Sequence, residues 1–163
     1  MQNNAKVPII VETHLIITEV IDGDSIKVVS RFNKEEKEIR LYGIDCPENK
    51  YNRKMVEDEK KLHTPAEFLL GLGQQAHKFV LSVAPVGTSV TLQIEIGNEL
   101  DHYKRHLAYV ILPDGSCLNE IIIAKGYARA TGDYFCEELP KYQALQLRAM
   151  QNRQGLYQYI SRL

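Results

Sequence analysis

The chain of 163 residues contains no tryptophan, and its three cysteines, Cys46, Cys117 and Cys136, show no paired CxxC spacing. An odd, scattered set of this kind is neither a disulfide framework nor a zinc site. One bridge with a free thiol and three free thiols are both compatible with it. No run of eighteen apolar residues occurs, so no membrane-spanning helix is expected. Met1 to Pro8 is polar and has no apolar signal-peptide core. A large charge excess is also missing: twenty Lys and Arg face twenty-one Asp and Glu, a net charge of −1. That balance excludes a protein that grips polyanions by bulk positive charge, so any phosphate or nucleic-acid site must be local.

What is present suits one globular domain over residues 1–163. Hydrophobic residues make up 44% of the chain, near the globular average. The first third reads as a β-meander. Thr13 to Ile21 is rich in β-branched residues and stops at the turn Asp22-Gly23-Asp24. Asp24, Ile26 and Val28 then share one face of a second strand. Asn33 to Glu36 is a polar turn, and Glu38 to Ile44 forms a third strand until Pro47 breaks it. Residues 49–72 read as a long charged loop, expected to gate or contact substrate beside Glu48. A helix is expected from Gly73, with Ala76, Phe79, Val80 and Val83 on one face. Strands at Ser89–Ile96 and His106–Leu112 follow, then helices at Leu118–Lys125 and Glu137–Arg153. Three meander strands, a helix and two more strands match a five-stranded OB-type barrel with three helices, an α+β fold.

Two turns collect carboxylates: Asp22 and Asp24 after the first strand, Asp45 and Glu48 after the third. A meander returns these ends to nearby positions on one rim, and oxygen clusters of this kind suit Ca²⁺ or Mg²⁺. Arg40, between Ile39 and Leu41, is a cation beside a core, which is costly unless paired. It reads either as a salt bridge to Asp24 or as a phosphate ligand next to a metal held by Asp24. Arg105 starts the fifth strand and offers a second planar fork for phosphate oxygens. His102 and His106 lie across a loop-to-strand junction with no further ligand, so they read as structural.

Taken together, Ile21-Asp22-Gly23-Asp24-Ser25, the run Ile39 to Glu48 (IRLYGIDCPE) and Asp101-x-Tyr103-x-Arg105-x-Leu107-Ala108-Tyr109 resemble the staphylococcal nuclease (thermonuclease) family. Gly73-Gln74-Gln75-Ala76, Leu118-Asn119-Glu120, Lys125-Gly126-Tyr127-Ala128 and Gly155-Leu156-Tyr157 extend the likeness over about residues 14–157. The resemblance implies an OB-fold barrel and Ca²⁺-dependent hydrolysis of DNA and RNA that leaves 3′-phosphate ends. It implies Asp24 and Asp45 as direct Ca²⁺ ligands, joined by the backbone carbonyl of Cys46, with Asp22 acting through water. Arg40, Glu48 and Arg105 become the catalytic residues, and Tyr103 lies near the nucleotide. A monomer is expected, and the family is often secreted or periplasmic. Cys46 departs from the family's usual Thr, Ser25 also replaces a Thr, and Lys104 and His106 flank Arg105 where Gly is common. Tyr127 and Tyr134 are the candidates for tyrosines lining a nucleotide pocket. The alternative reading is a catalytically inactive OB-fold module that binds nucleic acid or protein. The complete set of Asp24, Arg40, Asp45, Glu48 and Arg105 argues for the enzyme.

Overall fold

A computed structural model describes residues 7–50, 53–62 and 65–163. Most of the polar N-terminal stretch, Met1 to Lys6, and His63 lie outside the described residues. Seven strands are numbered here: β1 Ile9–Asp22, β2 Ser25–Ser30, β3 Glu36–Leu41, β4 Ile44–Asp45, β5 Ser89–Glu95, β6 His106–Ile111 and β7 Arg129–Ala130. The helices are α1 Arg53–Leu62, α2 Ala66–Val83, α3 Leu118–Ala124 and α4 Leu139–Gln151, with a 3₁₀ turn at Gly155–Gln158. Among the described residues no helix is long and apolar enough to cross a membrane.

Five strands close into a barrel in the order β1-β2-β3-β6-β5, with β1 pairing both β2 and β5. The meander is antiparallel, while β3 meets β6 in parallel, Ile39 opposite His106 and Arg40 opposite Leu107. The inward alternation on β2 and β3 follows the sequence: Ile26, Val28, Ile39 and Leu41 are all buried. β1 starts at Ile9, four residues earlier than the sequence pattern suggests. His14 adopts a positive φ there, and the pairing with β5 slips between Glu12 and Leu15. That irregularity interrupts the alternation that marks a strand in sequence.

The described residues of the region 49–72 are mostly helical rather than loop, and the described residues form four α-helices where three were expected. α1 occupies Arg53–Leu62, and α2 starts at Ala66, seven residues before Gly73. The α2 stripe runs back from Ala76 and Val80 through Leu72, Leu69 and Ala66, all buried. Each fully buried Leu in such a stripe is worth about 1.5–3 kcal/mol. α1 packs on α2. It lacks an apolar stripe of the usual width, ends on Lys60 and Lys61 where the helix dipole favours cations, and pairs Arg53 with Glu57 one turn on.

The third strand divides in two. β3 ends at Leu41, Gly43 turns the chain with φ of +72°, and β4 leaves the barrel to pair with β7. Asn119, fully buried on α3, stitches this break to the barrel. Its side-chain amide donates to the Tyr42 and Ala108 carbonyls and accepts from the Val110 N–H. All three cysteines are free thiols.

Candidate active site

The site lies at the end of the barrel where β1, β3 and β4 stop. Asp22 closes the β1–β2 turn: its Oδ1 accepts the Asp24 N–H at 3.0 Å and the Ser25 hydroxyl at 2.8 Å. Asp24 is only 6% exposed, and its Oδ2 accepts the Cys46 N–H at 2.8 Å. One carboxylate thus pins the first turn to the strand that carries Asp45. The close approach needs Gly23, where a Cβ would fall 2.5 Å from the Cys46 sulfur.

Arg40 is buried at 2% exposure and anchored by backbone oxygens. Its Nη1 donates to the carbonyls of Ile44 (2.9 Å), Leu41 (3.1 Å) and Asp24 (3.4 Å). Its Nη2 faces Asp24 Oδ2 at 3.3 Å and Asp45 Oδ1 at 3.5 Å. The ion pair with Asp24 therefore exists, and Asp45 shares it. Burial opposes the Arg40 charge, but Asp24 and Asp45 outweigh it and hold the guanidinium charged. Burial pushes the Asp24 carboxyl well above its ordinary range; Arg40 opposes this, while Asp22 and Asp45 add to it. Burial also raises Asp22, but hydrogen bonds from Asp24 and Ser25 prevail and its pKa is lowered.

Tyr134 joins the two arginines. Its ring covers the Arg40 guanidinium at 3.8 Å, and its hydroxyl accepts a hydrogen bond from Arg105 Nη2 at 3.2 Å. Arg105 is half-buried and held by Asp101, whose carboxylate accepts from Nε and from the Arg105 N–H, each at 2.8 Å. Tyr103 is 77% exposed, with its ring 5.5 Å from the Arg105 guanidinium. It lines a cavity of about 520 Å³ together with Leu100, His102, Tyr134 and Phe135. Tyr127 is elsewhere, stacked on Phe79 at 4.2 Å.

Glu48 sits beyond Pro47, partly buried, on a second cavity that it shares with Asp45, Lys61 and Arg129. Its place is fixed by α2: at Gly73 a Cβ would overlap the Glu48 carbonyl and fall 2.8 Å from the Asn49 nitrogen. Asn49 in turn donates to the Ile21 carbonyl at 3.0 Å. The Cys46 side chain is buried, and burial together with the surrounding carboxylates pushes its thiol well up, which makes it an inert spacer.

A family model described as staphylococcal nuclease homologue matches residues 38–159. The chain belongs to the staphylococcal nuclease homologue family. Endonuclease YhcR of Bacillus subtilis (strain 168) is 29% identical over 87% of this chain, which spans only 11% of that protein's length. Proteins named uncharacterized endonuclease from Escherichia coli O157:H7 and from Escherichia coli are each 28% identical over 90% of this chain and are covered over 78% of their length.

Within this staphylococcal nuclease homologue, Asp22, Asp24, Arg40, Asp45 and Cys46 come together at one end of the barrel. Arg105 reaches them through Tyr134, and Glu48 and Tyr103 stand on two flanking cavities. Among the described residues no three His, Cys, Asp or Glu side chains already surround one point, since Asp24 and Asp45 turn toward Arg40. The donor set nonetheless fits a hard divalent cation: three carboxylates, all oxygen donors, two of them buried. A cation beside them would offset the burial, and the added repulsion from Asp22 and Asp45, that push Asp24 toward its protonated form.

Two further site residues escaped the sequence reading. Arg129 lies opposite Asp45 in the β4–β7 pair and donates from Nη2 to Asp45 Oδ2 at 2.7 Å. Asp101 orients Arg105. Asp101 stands four residues before Arg105 inside a motif already noticed, so the i, i+4 acid–base spacing was available as a signal. Arg129 gave no such signal, because two-residue strands carry no periodicity.

Proposed function

We propose that the protein is a Ca²⁺-dependent nuclease that hydrolyses phosphodiester bonds of DNA and RNA and leaves 3′-phosphate ends. The supporting observation is the convergence of three carboxylates with two arginines that are bridged by Tyr134. Membership of the family and relatives named endonuclease support hydrolysis of nucleic acid in general. Asp24, Asp45 and the Cys46 carbonyl would hold the ion, and Asp22 would act through water. When bound, the ion supplies charge neutralisation at the phosphate and makes water more acidic.

The remaining roles belong to the chain. Glu48 takes a proton from the attacking water, whose oxygen forms a bond to phosphorus while the bond to the 5′ oxygen breaks. Arg40 and Arg105 hold the non-bridging oxygens. Both stay charged, and Arg40 is already fixed by three carbonyls, so little reorganisation accompanies charge development. Tyr103 presents an exposed ring to a base, a contact worth about 1–3 kcal/mol in stacking sites.

The test is digestion of plasmid DNA and of RNA with Ca²⁺, with Mg²⁺ and with chelator, followed by end-group analysis. Cleavage that needs Ca²⁺, yields 3′-phosphates and collapses in Glu48→Ser is expected. Cleavage that survives chelation overturns the metal role. No cleavage under any condition leaves the reading of a silent binding module.

A further inference from the structure

The cavity beside Glu48 carries charge that the roles above do not use. It measures about 180 Å³, and its lining combines Asp45, Glu48 and Asp58 with Lys61, Arg129 and Arg162. It shares no lining residue with the Tyr103 cavity, so the two are separate. Arg129 is committed to Asp45 at 2.7 Å. Lys61, in the last turn of α1, and Arg162 are exposed, and among the described residues neither forms an ion pair.

Two uncommitted cations in the lining of a cavity call for an anion. Three carboxylates also border the cavity, but all are engaged: Asp45 by Arg40 and Arg129, and Glu48 and Asp58 by neighbours of their own. The summed charge of the lining is therefore near zero and would not capture a free anion strongly. An anion delivered to this spot by a chain already held at the reacting phosphate needs no such field, because its effective concentration is high. Pro47, Leu69 and Leu163 give the cavity an apolar side suited to a sugar edge. Its volume is below the ~300–1,000 Å³ typical of pockets that enclose drug-sized ligands. It suits a phosphate with part of its sugar, from one strand.

We propose that this cavity is a backbone-phosphate subsite for a single nucleic-acid strand, adjacent to the bond that is cut, in which Lys61 and Arg162 supply the charge. The proposal rests on the nuclease reading and adds to it that substrate length is sensed through α1. It gives the charged 49–72 segment a task as a helix that presents Lys61 beside Glu48.

The experiment compares the wild-type protein with Lys61→Gln/Arg162→Gln, both confirmed folded by circular dichroism. Binding of a fluorescent single-stranded deoxyoligonucleotide is measured in chelator over a range of salt. Turnover with Ca²⁺ is then measured on that oligonucleotide and on a mononucleoside diester with a single phosphate. The double variant is expected to bind the strand about tenfold more weakly at low salt. The slope of log K against log[salt] should become shallower by roughly 0.7–1. Its kcat/KM should fall on the oligonucleotide far more than on the diester. Equal affinities, slopes and rate ratios overturn the subsite while leaving the nuclease reading intact. Loss of affinity and slope in a protein that cleaves neither substrate supports the subsite and overturns hydrolysis. A wild-type protein that neither binds nor cleaves overturns both.

Discussion

Gly73→Ala separates helix stability from site geometry within one residue. Alanine in a helix interior is favoured over glycine by about 1 kcal/mol, so local propensity predicts a gain. The surroundings predict the opposite. The new methyl would fall 2.8 Å from the Asn49 nitrogen and overlap the Glu48 carbonyl. Reaching ordinary contact at 3.4 Å requires about 0.6 Å at Asn49 and over ~1 Å at Glu48. These neighbours are backbone atoms, so α2 and the segment carrying Glu48 must separate as bodies. Overpacking of this kind costs about 1–3 kcal/mol, which makes the net change a loss of roughly 0–2 kcal/mol. The rate should suffer more, because a misplacement of about 1 Å can cost ~10²-fold. Gly71→Ala is the internal control: it lies in the same helix with nothing within 4 Å of its added methyl. It should stabilise by ~0.5–1 kcal/mol and leave turnover unchanged. The assay pairs denaturant unfolding by circular dichroism with kcat on a single-stranded oligonucleotide. Normal turnover in Gly73→Ala, or equal effects of both substitutions, would refute the idea that α2 positions Glu48.

Arg105→Lys should lower kcat by roughly tenfold or more with melting temperature nearly unchanged, since a single ammonium cannot reach Asp101, Tyr134 and a phosphate together; single-turnover kinetics read this directly. Asn119→Ala should destabilise the fold by about 2–4 kcal/mol, because it strips partners from the Val110 N–H and the Tyr42 and Ala108 carbonyls; denaturant unfolding checks it. At Asp101, burial works to raise the pKa, but hydrogen bonds and charge from Arg105 and the Tyr103 N–H outweigh it, so the folded value lies below 3.8. A depressed carboxylate adds stability above its unfolded pKa and loses it as pH falls through the folded value. Asp101→Asn should therefore cost about 1 kcal/mol or less at pH 7, with the gap to wild type closing below about pH 4; urea titrations at several pH values measure it.

Much of the site was legible because its residues sit at punctuation in the chain. Asp22-Gly23-Asp24 announces a turn, and Arg40 between Ile39 and Leu41 announces a cation that must be neutralised. Both features survive folding because hairpin pairing is local. Arg129 was hidden for the opposite reason, as was the way Tyr134, a pocket candidate from the sequence, bridges the two arginines. Arg129 meets Asp45 across a ladder of two residues, and Tyr134 lies in the coil after β7, so both contacts depend on tertiary packing. α1 was read as a loop because a helix supported by its pairing charges and by packing on α2 shows no broad apolar stripe. The early start of β1 was masked by the irregularity at His14.

The parallel pairing of β3 with β6 also bears on the time course of folding. Ile39 meets His106, and the whole of α1, α2 and β5 lies between them in the chain. Contacts so distant in sequence form slowly, after shorter loops have closed. Arg40 and Arg105 flank that one pairing, so their spacing is undefined until it forms. The Asp22–Asp24 turn and Arg40 can assemble in the meander alone, but Arg105 is brought beside them only when the barrel shuts. During refolding, recovery of turnover should lag behind recovery of β-structure, and a molecule arrested before closure would hold Arg40 among its carboxylates without Arg105 beside it.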